Sequence, residues 1–169
     1  MRKGVWLMSR VSLSPQDDGA LRSAALKRVR KARNMSAQEV ADGLHMRLRT
    51  YEHFEAGHGR LNLDYLHRFS EVTRSDFYGL LHAIAIGSPE FAVRTADNQF
   101  MTTFTILLQA YDLKMGDRIH DLDARAFIEA FGDFFDKLTE ICDQRAQEAA
   151  TFLEEGKHDL SSRRPKPGR

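Results

Sequence analysis

The stretch MSAQEVADGLHMRLRTYEHFEAGHG, residues 35–59, decides how this 169-residue chain folds. Ser36 followed three residues later by Glu39 is a capping box, and Met35 just before it is placed to act as a hydrophobic staple. Val40, Ala41 and Leu44 then recur at helical spacing. A second apolar stripe, Met46, Thr50, Tyr51 and Phe54, follows in three- and four-residue steps, until Gly57 and Gly59 stop it. The spacing predicts two short helices, 36–44 and 47–55, joined by a two-residue turn. That is a helix-turn-helix, whose second helix can lie in the DNA major groove with its N-terminal residues at the base edges. Arg47 and Arg49 fall in the first turn of that helix, where the macrodipole favours acidic side chains by roughly 0.3–1 kcal/mol each. Facing an anion, the same placement is favourable: an arginine fork can pair bidentately with guanine O6 and N7, worth about 1–3 kcal/mol of discrimination. The helix N-terminus also attracts phosphate.

Working outward, almost every segment reads as helix. Leu21, Ala25, Leu26 and Val29 line one face of a helix ending near Arg33, with basic residues over the remaining surface. Asn62 can cap a fourth helix carrying Leu63, Leu66, Phe69 and Val72 inward, and Ser75 or Asp76 a fifth carrying Phe77, Leu80, Leu81 and Ile84. Residues 1–19, with Pro15 and Gly19, read as a flexible arm. GSPEFAVRTADN, 87–98, reads as the linker closing a helix-turn-helix domain of residues 20–86. Beyond it, Phe100, Phe104, Leu107, Leu108 and Tyr111 mark one helix, residues 114–116 a turn, and 121–155 a long second helix. The expected inward residues of that helix are Phe127, Ile128, Phe131, Phe134, Phe135, Leu138, Ile141, Cys142 and Phe152. These residues form a helical dimerisation domain, 99–156, and SSRRPKPGR belongs to a disordered basic tail, 157–169. The fold class expected is all-α: a five-helix N-terminal domain, then a long helical hairpin.

Charge is segregated. Lys and Arg exceed Asp and Glu by 6 over residues 1–60, whereas residues 96–156 carry a net −8. A basic first third beside an acidic second half suits one part that meets a polyanion and another that avoids it. The lone Cys142 rules out a disulfide framework or a multi-cysteine zinc site and fits a reducing cytoplasm. No apolar run approaches a membrane span, and the start lacks the apolar core of a signal peptide. The seven histidines do not cluster with carboxylates at ligand spacing. The carboxylates Asp112, Asp117, Asp121 and Asp123 lack the glycine and terminal glutamate of an EF-hand. No phosphate loop or nucleophile motif occurs. The expectation is a protein without catalysis, cofactor or metal.

From Leu26 to Leu81 the sequence resembles the XRE, or Cro and phage-repressor, helix-turn-helix regulators. MSAQEVADGL is similar to that family's second helix, with the small Ala41 letting helices two and three approach. RLRTYEHFEAG is similar to the third, ending in Glu55-Ala56-Gly57, and LDYLHRF and SDFYGLL to the fourth and fifth. The resemblance implies a lambda-repressor-like domain and a structural ion pair between Arg30 and Glu55. It places the base-reading residues at Leu48, Arg49 and His53, and the phosphate contacts at Arg47, Ala37 and the loop from His58 to Arg60. With Glu52 on the same helix surface, these residues make the expected DNA-binding face. Departures from the family pattern are His45 where glycine is usual at the turn, Ala37 and Ala56 without polar groups, and Thr73 and Ser75 in place of apolar residues. Leu48 can contact no more than a thymine methyl.

A 35-residue helix is about 52 Å long, more than the preceding helix can cover. The surplus apolar surface most simply meets a second copy, with Phe127, Phe131, Phe134, Phe135, Leu138 and Ile141 at the seam. A two-fold dimer sets its recognition helices about 34 Å apart on a palindromic site. The resulting expectation is a dimeric, cytoplasmic transcriptional regulator, most commonly a repressor in the resembled family. The alternative is a protein-interaction module, an antitoxin or an adaptor for polymerase or another regulatory protein, with DNA binding secondary. A regulator that senses a small ligand is a third reading, for which the acidic hairpin offers no signature.

Overall fold

A computed structural model describes residues 15–163 of the chain. The described residues form eight α-helices and one 3-10 helix: α1 Pro15–Ala32, α2 Ala37–Gly43, α3 Leu48–Glu55, α4 Leu63–Thr73, α5 Phe77–Ala85, α6 Pro89–Arg94, α7 Phe100–Met115, the 3-10 turn Gly116–Asp121, and α8 Ala124–Ser162. The all-α expectation holds. Contacts divide the chain between Lys114 and Met115 into two units, not across 87–98 as the composition suggested.

The first five helices end alike. Asn34, His45, Gly57, Arg74 and Gly87 each take a left-handed backbone, with φ of 54°, 55°, 82°, 49° and 68°. Each is flanked by the pair of backward amide bonds of a Schellman turn, for example Met46 N to Ala41 O at 2.9 Å beside His45 N to Asp42 O at 3.0 Å. Such turns reverse the chain within a few residues, so short helices pack around one core. That core holds Leu26, Val29, Val40, Leu44, Tyr51, Phe54, Leu66, Phe69 and Leu80. Leu63, expected inside, is exposed at the start of α4. Val72 is only half-buried, and a Cβ on Gly43 would come within 2.7 Å of it, so the small residue sets how closely α2 approaches α4.

Three expectations about boundaries are corrected. Residues 15–19 belong to α1 rather than to an arm; residues 1–14 lie outside the described residues. Proline fits the first turn of a helix because its missing N–H is not needed there. Gly19 is a contact residue, since a Cβ on it would lie 2.7 Å from the carbonyl oxygen of Gly57. The supposed linker 87–98 holds α6, again opened by a proline, Pro89. This helix packs against α1 and α5 and buries Ala92, and Thr95 and Ala96 just after it are buried too. Ion pairs Arg28–Glu90 at 2.7 Å and Arg33–Asp97 at 2.6 Å bind the same segment to α1. Finally, α8 continues through 157–162, carried by local pairs such as Lys157–Glu154 at 2.9 Å and Arg163–Asp159 at 3.0 Å. The remainder of the basic tail, 164–169, lies outside the described residues.

Asp76 precedes α5 as expected, but its side chain does not cap that helix. The fully buried carboxylate accepts from Met101 N at 2.8 Å, Thr102 N at 3.2 Å and Thr102 Oγ1 at 2.7 Å, and so caps α7 from across the domain. An acidic group at a helix N-terminus satisfies otherwise orphaned amides and complements the dipole. The join between α4 and α5 stays closed although Thr73 and Ser75 are polar. Their hydroxyls bond each other at 2.9 Å, and Thr73 Oγ1 also donates to Phe69 O at 2.8 Å.

In the second unit, Asp123 caps α8 by accepting from Ala126 N at 2.8 Å. None of the 39 residues of α8 is buried. Phe127 and Leu138, expected inside, are half-buried; Ile128, Phe131, Phe134, Phe135, Ile141, Cys142 and Phe152 are exposed. No helix of the described residues is long and apolar enough to cross a membrane.

Candidate nucleic-acid interface

The interface begins at the cap of α2. Ser36 Oγ accepts from Glu39 N at 3.1 Å, and Glu39 Oε2 accepts from Ser36 N at 2.7 Å. These hydrogen bonds, to the Ser36 backbone first, hold the Glu39 carboxyl below its ordinary pKa. His45 then occupies the left-handed turn position. A guanidinium N–H of Arg68 donates to the Leu44 carbonyl, closing the C-terminal end of α2. A side chain with a Cβ is disfavoured in this conformation by about 1–2 kcal/mol. Glycine recovers part of that and loses some to its freer unfolded chain. His45→Gly is therefore expected to stabilise the protein by about 0.5–1 kcal/mol, read as a higher urea midpoint at unchanged slope. A lower midpoint would show that the imidazole contributes more than its backbone strain removes.

α3 is anchored by its inner face. Tyr51, Phe54 and Glu55 are buried. Arg30 grips Glu55 with both arms of its fork, Nε to Oε1 at 2.6 Å and Nη2 to Oε2 at 3.1 Å, while the Tyr51 hydroxyl donates to Oε1 at 2.7 Å. The Glu55 hydrogen bond raises the Arg30 pKa, whereas burial is the main cause that pushes the Tyr51 hydroxyl up. Phe54 meets the edge of Tyr65 at 5.7 Å. With its core face held this way, the helix has little freedom to rotate.

The outer face is open. Arg47 is the N-cap residue but its side chain makes no capping bond, and no acidic residue lies in the first turn. Arg47 and Arg49 are exposed, and neither side chain has a hydrogen-bond or ion-pair partner among the described residues. Together with Thr50, Glu52, His53, Ala56 and His58 they line an open cleft of about 600 Å³. The His53 and His58 rings lie 4.8 Å apart across it.

The structure thus brings together Arg47, Arg49, Glu52, His53 and His58. Leu48 and Ala37 are half-buried against the core and do not line the cleft. Leu48 precedes Tyr51 by three residues and Glu55 by seven, so the helical period sets it on the buried face. Arg60 is exposed but does not line the cleft. Thr50 does line it, although it reads as part of the apolar stripe. Arg22, in a helix whose basic residues read as surface, is buried and donates to the carbonyls of His58 at 3.0 Å and Gly59 at 3.1 Å.

A first helix, a turn locked in a left-handed conformation and a second helix with its cationic tip uncovered define a DNA-binding helix-turn-helix protein. Residues 26–80, about a third of the chain and spanning α1 to α5, match the family model described as Helix-turn-helix. The match assigns this domain, residues 26–80, to the XRE type of helix-turn-helix and does not extend to the rest of the chain. No curated protein and no solved structure matches the chain.

Proposed function

We propose that the chain is a sequence-specific transcriptional regulator that acts in the cytoplasm as a dimeric repressor, occupying a palindromic operator and excluding polymerase. The observation that carries this reading is the tip of α3: two exposed arginines whose side chains have no partner among the described residues, at an N-terminus that no side chain caps. Helix physics disfavours cations there, and an anionic ligand reverses the sign. In this reading Arg49 and His53 face base edges, while Arg47 and His58 hold phosphates.

A second copy is the natural cover for the apolar side chains displayed by α7 and α8. Leu113 is 82% exposed, and Ile106, Ile128, Phe152 and Leu160 are also open to solvent. The seam proposed is the stripe Phe127, Phe131, Phe134, Phe135, Leu138 and Ile141. The same side chains also suit a protein-interaction module, an antitoxin or an adaptor that binds polymerase or another regulator through them.

Selection of bound duplexes from a randomised pool, paired with sedimentation equilibrium, separates the two. The expected result is an inverted repeat with half-site centres about 10 base pairs apart, and a dimer in solution. An unenriched pool would overturn sequence-specific binding, and a monomer would overturn the paired reader.

A further inference from the structure

Among the described residues Arg22 is a buried cation without an anion. It is 3% exposed, and no carboxylate pairs with it among the described residues. Its Nε is buried without a hydrogen-bond partner among the described residues, and burial lowers its pKa. Buried charges are ordinarily paired, because desolvation is costly. Its Nη2, however, donates to two consecutive carbonyls of the loop that follows α3, those of His58 and Gly59. Beside these bonds the backbones of α1 and the loop touch: a Cβ on Gly57 would lie 2.0 Å from the carbonyl oxygen of Gly19. One face of the loop is therefore fastened to α1, while the His58 ring lines the cleft against His53. The cation also sits by the C-terminal end of α3, whose dipole favours positive charge.

We infer that Arg22 is a positioning residue for DNA binding: it pins the 57–60 loop from below so that His58 and the loop amides meet a phosphate at the edge of the cleft. This inference rests on the DNA-binding reading above. The apolar core does not need a charge at this position, and an apolar side chain removes the desolvation cost that an unpaired buried cation carries. The loop is exposed, so its two carbonyls can take water instead. Stability and binding should therefore separate.

The test compares the full-length parent with Arg22→Met and Arg22→Lys. The measurements are thermal melting, amide hydrogen exchange of the loop, and affinity for a mixed-sequence DNA duplex over a range of salt. Arg22→Met is expected to melt no lower than the parent, yet to exchange faster at residues 58–60 and bind the duplex about fivefold more weakly. The slope of log affinity against log salt should shrink by about 0.9, the value of one phosphate. Arg22→Lys, which retains charge and donors, should fall between the two. Parental exchange, affinity and slope in a folded Arg22→Met would overturn the inference and leave DNA binding untouched. If that variant does not fold, parental exchange and affinity in Arg22→Lys would overturn it instead. A parent without salt-dependent affinity would remove the DNA-binding reading, and the inference with it; the exchange data would then report only a structural clamp.

Discussion

Reversing both charges at the tip of α3, with Arg47→Glu and Arg49→Glu, is expected to abolish DNA binding while leaving the protein at least as stable as the parent. The two effects have opposite signs because the same pair of residues faces two electrostatic demands. Within the folded chain the arginines oppose the dipole of α3, and glutamates there are favoured by about 0.3–1 kcal/mol each. Neither arginine side chain has a partner among the described residues that would be lost. Against DNA, two favourable cation contacts become two repulsions. A drop in affinity of about 100-fold or more follows, since one arginine–guanine pair alone is worth about 1–3 kcal/mol. Fluorescence anisotropy on the selected duplex measures the first effect and thermal melting the second. The proposed dimer should survive, because its seam lies in the second unit. Undiminished affinity would place the nucleic-acid surface elsewhere. A lower melting temperature with retained affinity would mean that the arginines serve the fold.

The parts of this architecture that sequence made legible are local ones. The capping box at Ser36 and Glu39 needs only residues three apart, and the ends of α2 and α3 are marked within two residues of where they fall. The Arg30–Glu55 contact spans 25 positions, and the family resemblance, not spacing, pointed to it. The features that stayed hidden depend on distant neighbours or on which way a residue faces. Asp76 looks like any helix cap, and nothing in its neighbourhood says that it serves α7, 25 residues on. Ser88-Pro89 reads as a break because proline ends helices, yet it also starts them, and only the burial of Ala92 distinguishes the two. Arg22 belongs to a residue type that is almost never fully buried, so no composition rule would turn it inward. Leu48 differs from these, since its inward orientation was available from the helical period and the family position pointed the other way.

Glu55→Ala is expected to cost most of the stability of the first unit without changing the charge of the reading face. The carboxylate is 5% exposed and holds three donors, two from Arg30 and one from Tyr51. Removing it strands a guanidinium whose side chain is only 15% exposed and leaves a fully buried hydroxyl without an acceptor. Arg30 keeps one bond, from Nη1 to Met35 O at 3.0 Å, which does not neutralise it. Breaking one partner of such a pair costs about 3–5 kcal/mol, against a total of about 5–15 kcal/mol for an ordinary domain. Glu55→Gln keeps an acceptor for Tyr51 and one for Arg30, and should lose a smaller part. Denaturant titration of the three proteins reads the order parent, Gln, Ala. Below its own transition the alanine variant should still bind DNA with the parental salt slope, because Arg47 and Arg49 are unaltered. Equal stability of Glu55→Ala and parent would show that this buried network does not hold α3. A changed slope in the folded variant would instead make the ion pair part of the reading surface.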